Sequence, residues 1–157
     1  FTSAFPMGMM KIPAKYKCLK PLLGGGMGEN ISPPLSWSGG PADAKSYALV
    51  LYDTGFKLMH YALWDIPATV HELPEGLAPG YELTMPMGAH QAADMGMDKH
   101  AYFGPCSTGA SGSTYEYRVY ALKEAKLMLT ESSSAADALK AIEAAKLDSV
   151  IWSGKPE

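Results

Sequence analysis

Ser46-Tyr47-Ala48-Leu49-Val50-Leu51-Tyr52 is a nearly unbroken apolar run of strand-forming residues, halted by Asp53-Thr54-Gly55. Apolar runs of about four to eight residues that end in a turn signal read as buried strands rather than helices. His60-Tyr61-Ala62-Leu63-Trp64-Asp65-Ile66, closed by Pro67, predicts a second strand, and Tyr115-Glu116-Tyr117-Arg118-Val119-Tyr120-Ala121-Leu122 a third. In the third, Tyr115, Tyr117, Val119 and Ala121 share one face, while Glu116 and Arg118 mix with Tyr120 and Leu122 on the other.

Working outward, residues 1–45 carry Pro6, Pro13, Pro21, Pro33, Pro34 and Pro41 with a Gly24-Gly25-Gly26 run. That density excludes a long helix and predicts strands and turns. Between His71 and Gly112 lies a long Gly- and Pro-rich stretch, expected to hold both functional loop and short hidden strands. The end of the chain changes rhythm. Ser134 and Asp137 resemble a capping box, and Leu139, Ile142 and Leu147 supply one apolar face, which predicts a helix over 134–146. Ser149-Val150-Ile151-Trp152 then predicts a short terminal strand.

The 157 residues suit one compact domain, 1–157. A net charge of −3 gives little support to phosphate-backbone binding, so nucleic acid is not an expected partner. No apolar run reaches the roughly 20 residues that span a bilayer as a helix, so no transmembrane segment is expected. The start at Phe1-Thr2-Ser3 and the even cysteine count favour a periplasmic or secreted protein over a cytoplasmic one. Cys18 and Cys106 are compatible with one disulfide or with two separate buried thiols. Met7, Met9, Met10, Met27, Met87, Met95 and Met97 sit in Gly-rich neighbourhoods, where a soft-metal site is conceivable and flexible packing is the expected role. His71, His90 and His100 have no fixed ligand spacing, so no metal and no cofactor is expected.

Several segments, in order, carry a likeness: Ile12-Pro13-Ala14-Lys15-Tyr16-Lys17-Cys18, Asn30-Ile31-Ser32-Pro33-Pro34-Leu35-Ser36-Trp37, Lys45-Ser46-Tyr47-Ala48-Leu49-Val50, His60 to Ala68, Leu73-Pro74-Glu75-Gly76, Gly104-Pro105-Cys106 and Tyr115 to Leu122. Together they resemble the bacterial, Raf-kinase-inhibitor-like branch of the phosphatidylethanolamine-binding protein family. The resemblance implies a mainly β fold, a large antiparallel sheet packed on a smaller one, with a helix near the C-terminus. It also implies a pocket for phosphate-type anions or phospholipid head groups at one end of the sheet.

By that resemblance Asp53 starts the pocket turn and accepts a hydrogen bond from the pocket imidazole; read alone, it is a turn former that bonds its own backbone. His60 matches the pocket histidine, where the alternative is a half-buried packing residue. Gly104, Pro105, Cys106 and Ser107 match a loop whose backbone amides can form an anion-accepting concavity, or else an ordinary turn. Tyr115 matches a tyrosine that brings its hydroxyl to the ligand, or else a half-buried sheet residue. A Cys18–Cys106 bridge would rigidify the pocket rim. The family turn is shortened to Asp53-Thr54-Gly55-Phe56, Leu58 and Met59 replace aromatic residues, and Ser113 stands where a second histidine is usual.

The expected function is non-enzymatic binding of a small anion, with a role in modulating a partner protein. The alternative is a hydrolase using His60 with Asp53 and a serine from Ser107, Ser111 or Ser113. The chain has no Gly-x-Ser-x-Gly elbow, His-Glu-x-x-His or Walker loop to favour that alternative.

Overall fold

The apolar run forms the middle strand of the larger sheet. In a computed structural model that describes residues 1–5, 11–19, 28–93, 99–107 and 113–157, it becomes β4 (Ser46–Asp53), following β1 (Thr2–Ala4), β2 (Lys11–Ile12), a 3-10 turn (Ala14–Tyr16) and β3 (Leu35–Ser38). After it come β5 (Leu58–Pro67), β6 (Glu72–Leu73), β7 (Glu82–Thr84), β8 (Met87–Gln91), β9 (Tyr115–Leu122), α1 (Ala135–Ala145) and β10 (Lys146–Pro156). The large sheet has the order β2-β10-β9-β4-β5-β8-β7, and the small one β1-β3-β6. All pairings are antiparallel except β2 with β10. The stretch after His71 does conceal strands, β6 to β8.

The run is unbroken because β4 is covered on both faces. Tyr47, Leu49 and Leu51 pack with Leu35, Trp37 and Leu73 of the small sheet, while Ala48 and Val50 pack with Ala138, Ile142 and Ala145 of α1. The same division explains the partial alternation of β9. Its odd residues join the core between the sheets, and Tyr120 and Leu122 join the core beneath the helix. Glu116 and Arg118 stay half-buried and pair with each other at 2.6 Å.

Ser134 accepts from the Asp137 amide and Asp137 from the Ser134 amide, the reciprocal cap that starts α1. The helix is shorter than expected at its far end. Lys146 is extended (φ −64°, ψ 129°), and Leu147, assigned to the helix face by its spacing, is an exposed residue of β10 instead. Pairing with β9 runs from Lys146 opposite Leu122 to Gly154 opposite Tyr115, so the ladder draws the chain into a strand directly from the helix end. This makes the last strand far longer than the apolar pattern over 149–152 suggests.

β5 carries two irregularities that place polar side chains. Leu51 and Tyr52 pair with Tyr61 and Met59, which leaves His60 as an extra residue; Tyr47 and Leu49 pair with Ile66 and Leu63, which adds a second near Asp65. Such bulges bend a strand and re-aim a side chain. Asp65 adopts φ 57°, a conformation that short polar residues tolerate better than most. Its carboxylate accepts from the Leu127 amide (2.8 Å) and faces Nδ1 of His90 (2.9 Å), tying the 123–129 segment to the sheet.

Candidate functional site

One end of the large sheet collects the candidate residues. Asp53 ends β4 directly opposite Tyr115, which starts β9, and the bulge beside them supplies His60. A strap formed by residues 102–107 lies against this end. Every candidate named from the sequence, Asp53, His60, Gly104, Pro105, Cys106, Ser107, Ser113 and Tyr115, is buried there. Ser111, the remaining hydrolase candidate, lies outside the described residues.

The imidazole is anchored by the strap. Nδ1 of His60 lies 3.0 Å from the Gly104 carbonyl oxygen; a carbonyl only accepts, so Nδ1 carries the proton and donates. The ring sits 5.3 Å from Phe103 and meets the edge of Tyr115 at 5.1 Å. The expected Asp53–imidazole hydrogen bond is not formed. Asp53 Oδ1 instead accepts from the amides of Gly55 (2.9 Å) and Phe56 (3.1 Å), closing its own turn. The shortened connection imposes this, since a tight turn directly after Asp53 uses the carboxylate locally. Asp53 still acts on His60 through its charge, and on Tyr115 through its charge and a side-chain hydrogen bond that the phenol donates.

Burial dominates the electrostatics. It pushes the His60 imidazole below its ordinary 6.5, only partly offset by the Gly104 carbonyl, the Asp53 charge and the Phe103 carbonyl. It raises the Tyr115 phenol, opposed by hydrogen bonds with Ser107 and reinforced by Asp53. The Tyr115 hydroxyl accepts from the Ser107 amide at 3.3 Å and lies 3.0 Å from the Ser107 hydroxyl. Ser113 reaches the same turn: a Cβ added at Gly55 would stand 2.6 Å from Ser113 Oγ, so glycine makes room for that hydroxyl.

The strap is fixed at several points. Gly104 donates its amide to Asn30 Oδ1 (2.8 Å), and Asn30 Nδ2 donates to the Tyr102 carbonyl (2.9 Å). A Cβ at Gly104 would overlap the Tyr16 carbonyl, so only glycine allows this approach. The Tyr102 hydroxyl donates to that same carbonyl at 2.9 Å and lies 2.8 Å from the Tyr117 hydroxyl. Cys18 donates its amide to the Pro105 carbonyl (2.9 Å), and Cys18 and Cys106 form a disulfide. The amides of Gly104 and Ser107 are therefore engaged by protein groups, which departs from the expectation of a loop whose amides await an anion.

Asn30 and Phe103 belong to this site and were not assigned to it from the sequence. The available signals were that Asn30 opens the Asn-Ile-Ser-Pro-Pro segment and Phe103 directly precedes Gly104-Pro105. The other histidines lie elsewhere. His71 packs edge-on against Tyr47 at 5.6 Å, and the rings of His90 and His100 lie 4.6 and 5.3 Å from Tyr81. Among the described residues no group of three or more His, Cys, Asp or Glu is arranged to hold a metal ion, and no helix is long and apolar enough to cross a membrane. Met87 is exposed; Met7, Met9, Met10, Met27, Met95 and Met97 fall outside the described residues.

Comparison with known proteins matches the family model described as phosphatidylethanolamine-binding protein over residues 2–156. The chain is 36% identical over 115 residues to UPF0098 protein YbcL of Escherichia coli K12, covering 69% of this chain and 62% of that relative. It is 32% identical over 146 residues to a UPF0098 protein of Methanothermobacter thermautotrophicus, covering 85% and 82%. A protein named putative lipoprotein LppC of Mycobacterium tuberculosis is 32% identical, with 83% of this chain and 58% of that one covered. The crystal structure of E. coli YbcL, described as a new member of the mammalian PEBP family, superposes with a TM-score of 0.80 at 28% identity, covering 100% and 98% of the two chains. The mainly β architecture with an α-helix near the C-terminus, the sheet end that gathers His60 and Tyr115, and these matches agree: the chain belongs to the phosphatidylethanolamine-binding protein family, and so to a family of ligand-binding domains.

Proposed function

We propose that the domain binds a small phosphate-type anion, free or as a phospholipid head group, at the sheet end built by Asp53, His60, Ser107, Ser113 and Tyr115, and performs no chemistry on it. The observation that carries this reading is the anchored imidazole. His60 has one nitrogen committed to Gly104, which leaves Nε2 for a ligand, in a buried setting shared with the hydroxyls of Ser107, Ser113 and Tyr115.

The same geometry argues against the hydrolase alternative. An Asp-His-Ser relay needs its carboxylate on the imidazole and its serine on the other nitrogen. Here the imidazole donates to a carbonyl, Asp53 is turned to its own loop, and Ser107 bonds Tyr115. An exported location is part of the proposal, supported by the disulfide and by the relative named as a lipoprotein. A role in modulating a partner protein is carried by the family resemblance alone.

Calorimetric titration with O-phosphoethanolamine tests the reading. Saturable binding by the wild type that His60→Ala weakens at least about tenfold, a loss of about 1.4 kcal/mol, is expected. Equal binding by the two proteins, or ester turnover abolished by Ser107→Ala or Ser113→Ala, would overturn it.

A further inference from the structure

His60 is surrounded by groups that decide which form of an anion fits. Its Nδ1 proton is spent on the Gly104 carbonyl, so the neutral ring offers Nε2 as a lone pair, an acceptor and not a donor. The carboxylate of Asp53, from β4, acts on His60 through its charge and is a second acceptor, one that already accepts from the Gly55 and Phe56 amides and hydrogen-bonds the Tyr115 phenol. From β9 comes the Tyr115 phenol, from the strap the Phe103 ring and the Ser107 hydroxyl, and from the turn side Ser113. Hydroxyls can donate or accept, so they suit either side of a ligand. Among the described residues, no Lys or Arg enters the electrostatic surroundings of His60 or Tyr115. Burial also holds the imidazole towards its neutral form. A fully ionised oxyanion would therefore meet one negative charge and one lone pair, with no cation among the described residues to offset them.

We infer that this site takes its oxyanion as a protonated monoanion, dihydrogen phosphate or a phosphomonoester monoanion, whose O–H is shared with Nε2 of His60 or with Asp53, and discriminates against the sulfate dianion, which has no proton to share. The inference rests on the anion reading above and specifies its ligand. One acidic O–H serves the acceptors at His60 and Asp53, while the remaining oxygens accept from the hydroxyls. No covalent bond forms or breaks. The proton only sits between ligand oxygen and acceptor.

The test is titration of the full chain with inorganic phosphate and, separately, sodium sulfate, followed by NMR at about pH 6 and about pH 8, on either side of the range where phosphate groups lose their second proton. Phosphate is expected to bind about tenfold or more tighter than sulfate at the lower pH. Its affinity should fall towards about tenfold per pH unit once the ligand's second proton is lost, the slope for one proton held on binding. Asp53→Asn keeps a side-chain oxygen for the Gly55 and Phe56 amides but adds an N–H donor, so the preference should shrink to about threefold or less. Sulfate matching phosphate in the wild type, or phosphate affinity unchanged between the two pH values, would overturn the inference without touching the anion reading. These two results need no variant. If neither anion perturbs the pocket, the anion reading falls and takes the inference with it.

Discussion

Removing the disulfide by the double substitution Cys18→Ala and Cys106→Ala should destabilise the fold strongly. The bridge closes a loop of 88 residues. The chain-entropy relation for a loop of that length gives about 4.6 kcal/mol at 25 °C, and loss of a native disulfide commonly costs about 2–5 kcal/mol. Alanine is the informative replacement because both positions are buried, and a serine hydroxyl would add its own desolvation penalty. With a urea m-value of about 2 kcal/mol per molar, the unfolding midpoint should fall by about 1–2.5 M. Intrinsic tryptophan fluorescence reads this directly, since Trp37 and Trp64 are buried in the two cores. The loss should also reach the site, because Cys106 sits between Gly104, which anchors His60, and Ser107, which bonds Tyr115. A midpoint shift under about 0.5 M would refute the reasoning. It would mean that the Asn30–Gly104 and Cys18–Pro105 hydrogen bonds already hold the strap without the covalent link.

Three further outcomes follow from named contacts. Because burial lowers the His60 imidazole below 6.5, the unfolded chain takes up its proton more readily; stability from this group is full above about pH 6.5 and is lost as pH falls towards the folded value. His60→Gln, uncharged throughout, should lose less stability than the wild type between about pH 7.5 and 5.5 in urea titrations, and equal losses would exclude the effect. Tyr115→Phe leaves the buried Ser107 amide and hydroxyl without their shared partner, and should cost about 1–2 kcal/mol by denaturation while weakening phosphate binding by calorimetry. Asp65→Ala strands the Leu127 amide and places alanine at positive φ, for a loss of about 2–4 kcal/mol, of which Asp65→Asn should recover more than half; no recovery by Asn would assign the loss to something other than that side-chain acceptor.

Much of the fold was legible because burial leaves a local mark. β9 begins and ends where its alternation does, and the start of α1 follows from one capping pair. The apolar pattern makes β10 too short because Lys146, Leu147 and Asp148 have no apolar rhythm; pairing of Lys146 and Asp148 with β9, with Leu147 as the extra residue between them, makes the segment strand, and pairing is not written in the segment itself. The site was legible as residue types and less so as contacts. The one-residue surplus that aims His60 is a property of register between two strands, invisible in either one alone. For the same reason Asp53 read equally as a turn former or a pocket carboxylate, and its Oδ1 hydrogen bonds follow the turn. Asn30 acts on Gly104 across 74 positions of chain, a relation that no local pattern announces.

The most direct test of the central claim is a map of backbone and His60 side-chain NMR shifts as inorganic phosphate is added to the isotope-labelled chain. The account predicts saturable shifts confined to Asp53, His60, residues 104–107, Ser113 and Tyr115. Saturable shifts centred elsewhere, such as on His90 and Asp65, or no shifts at all, would contradict it.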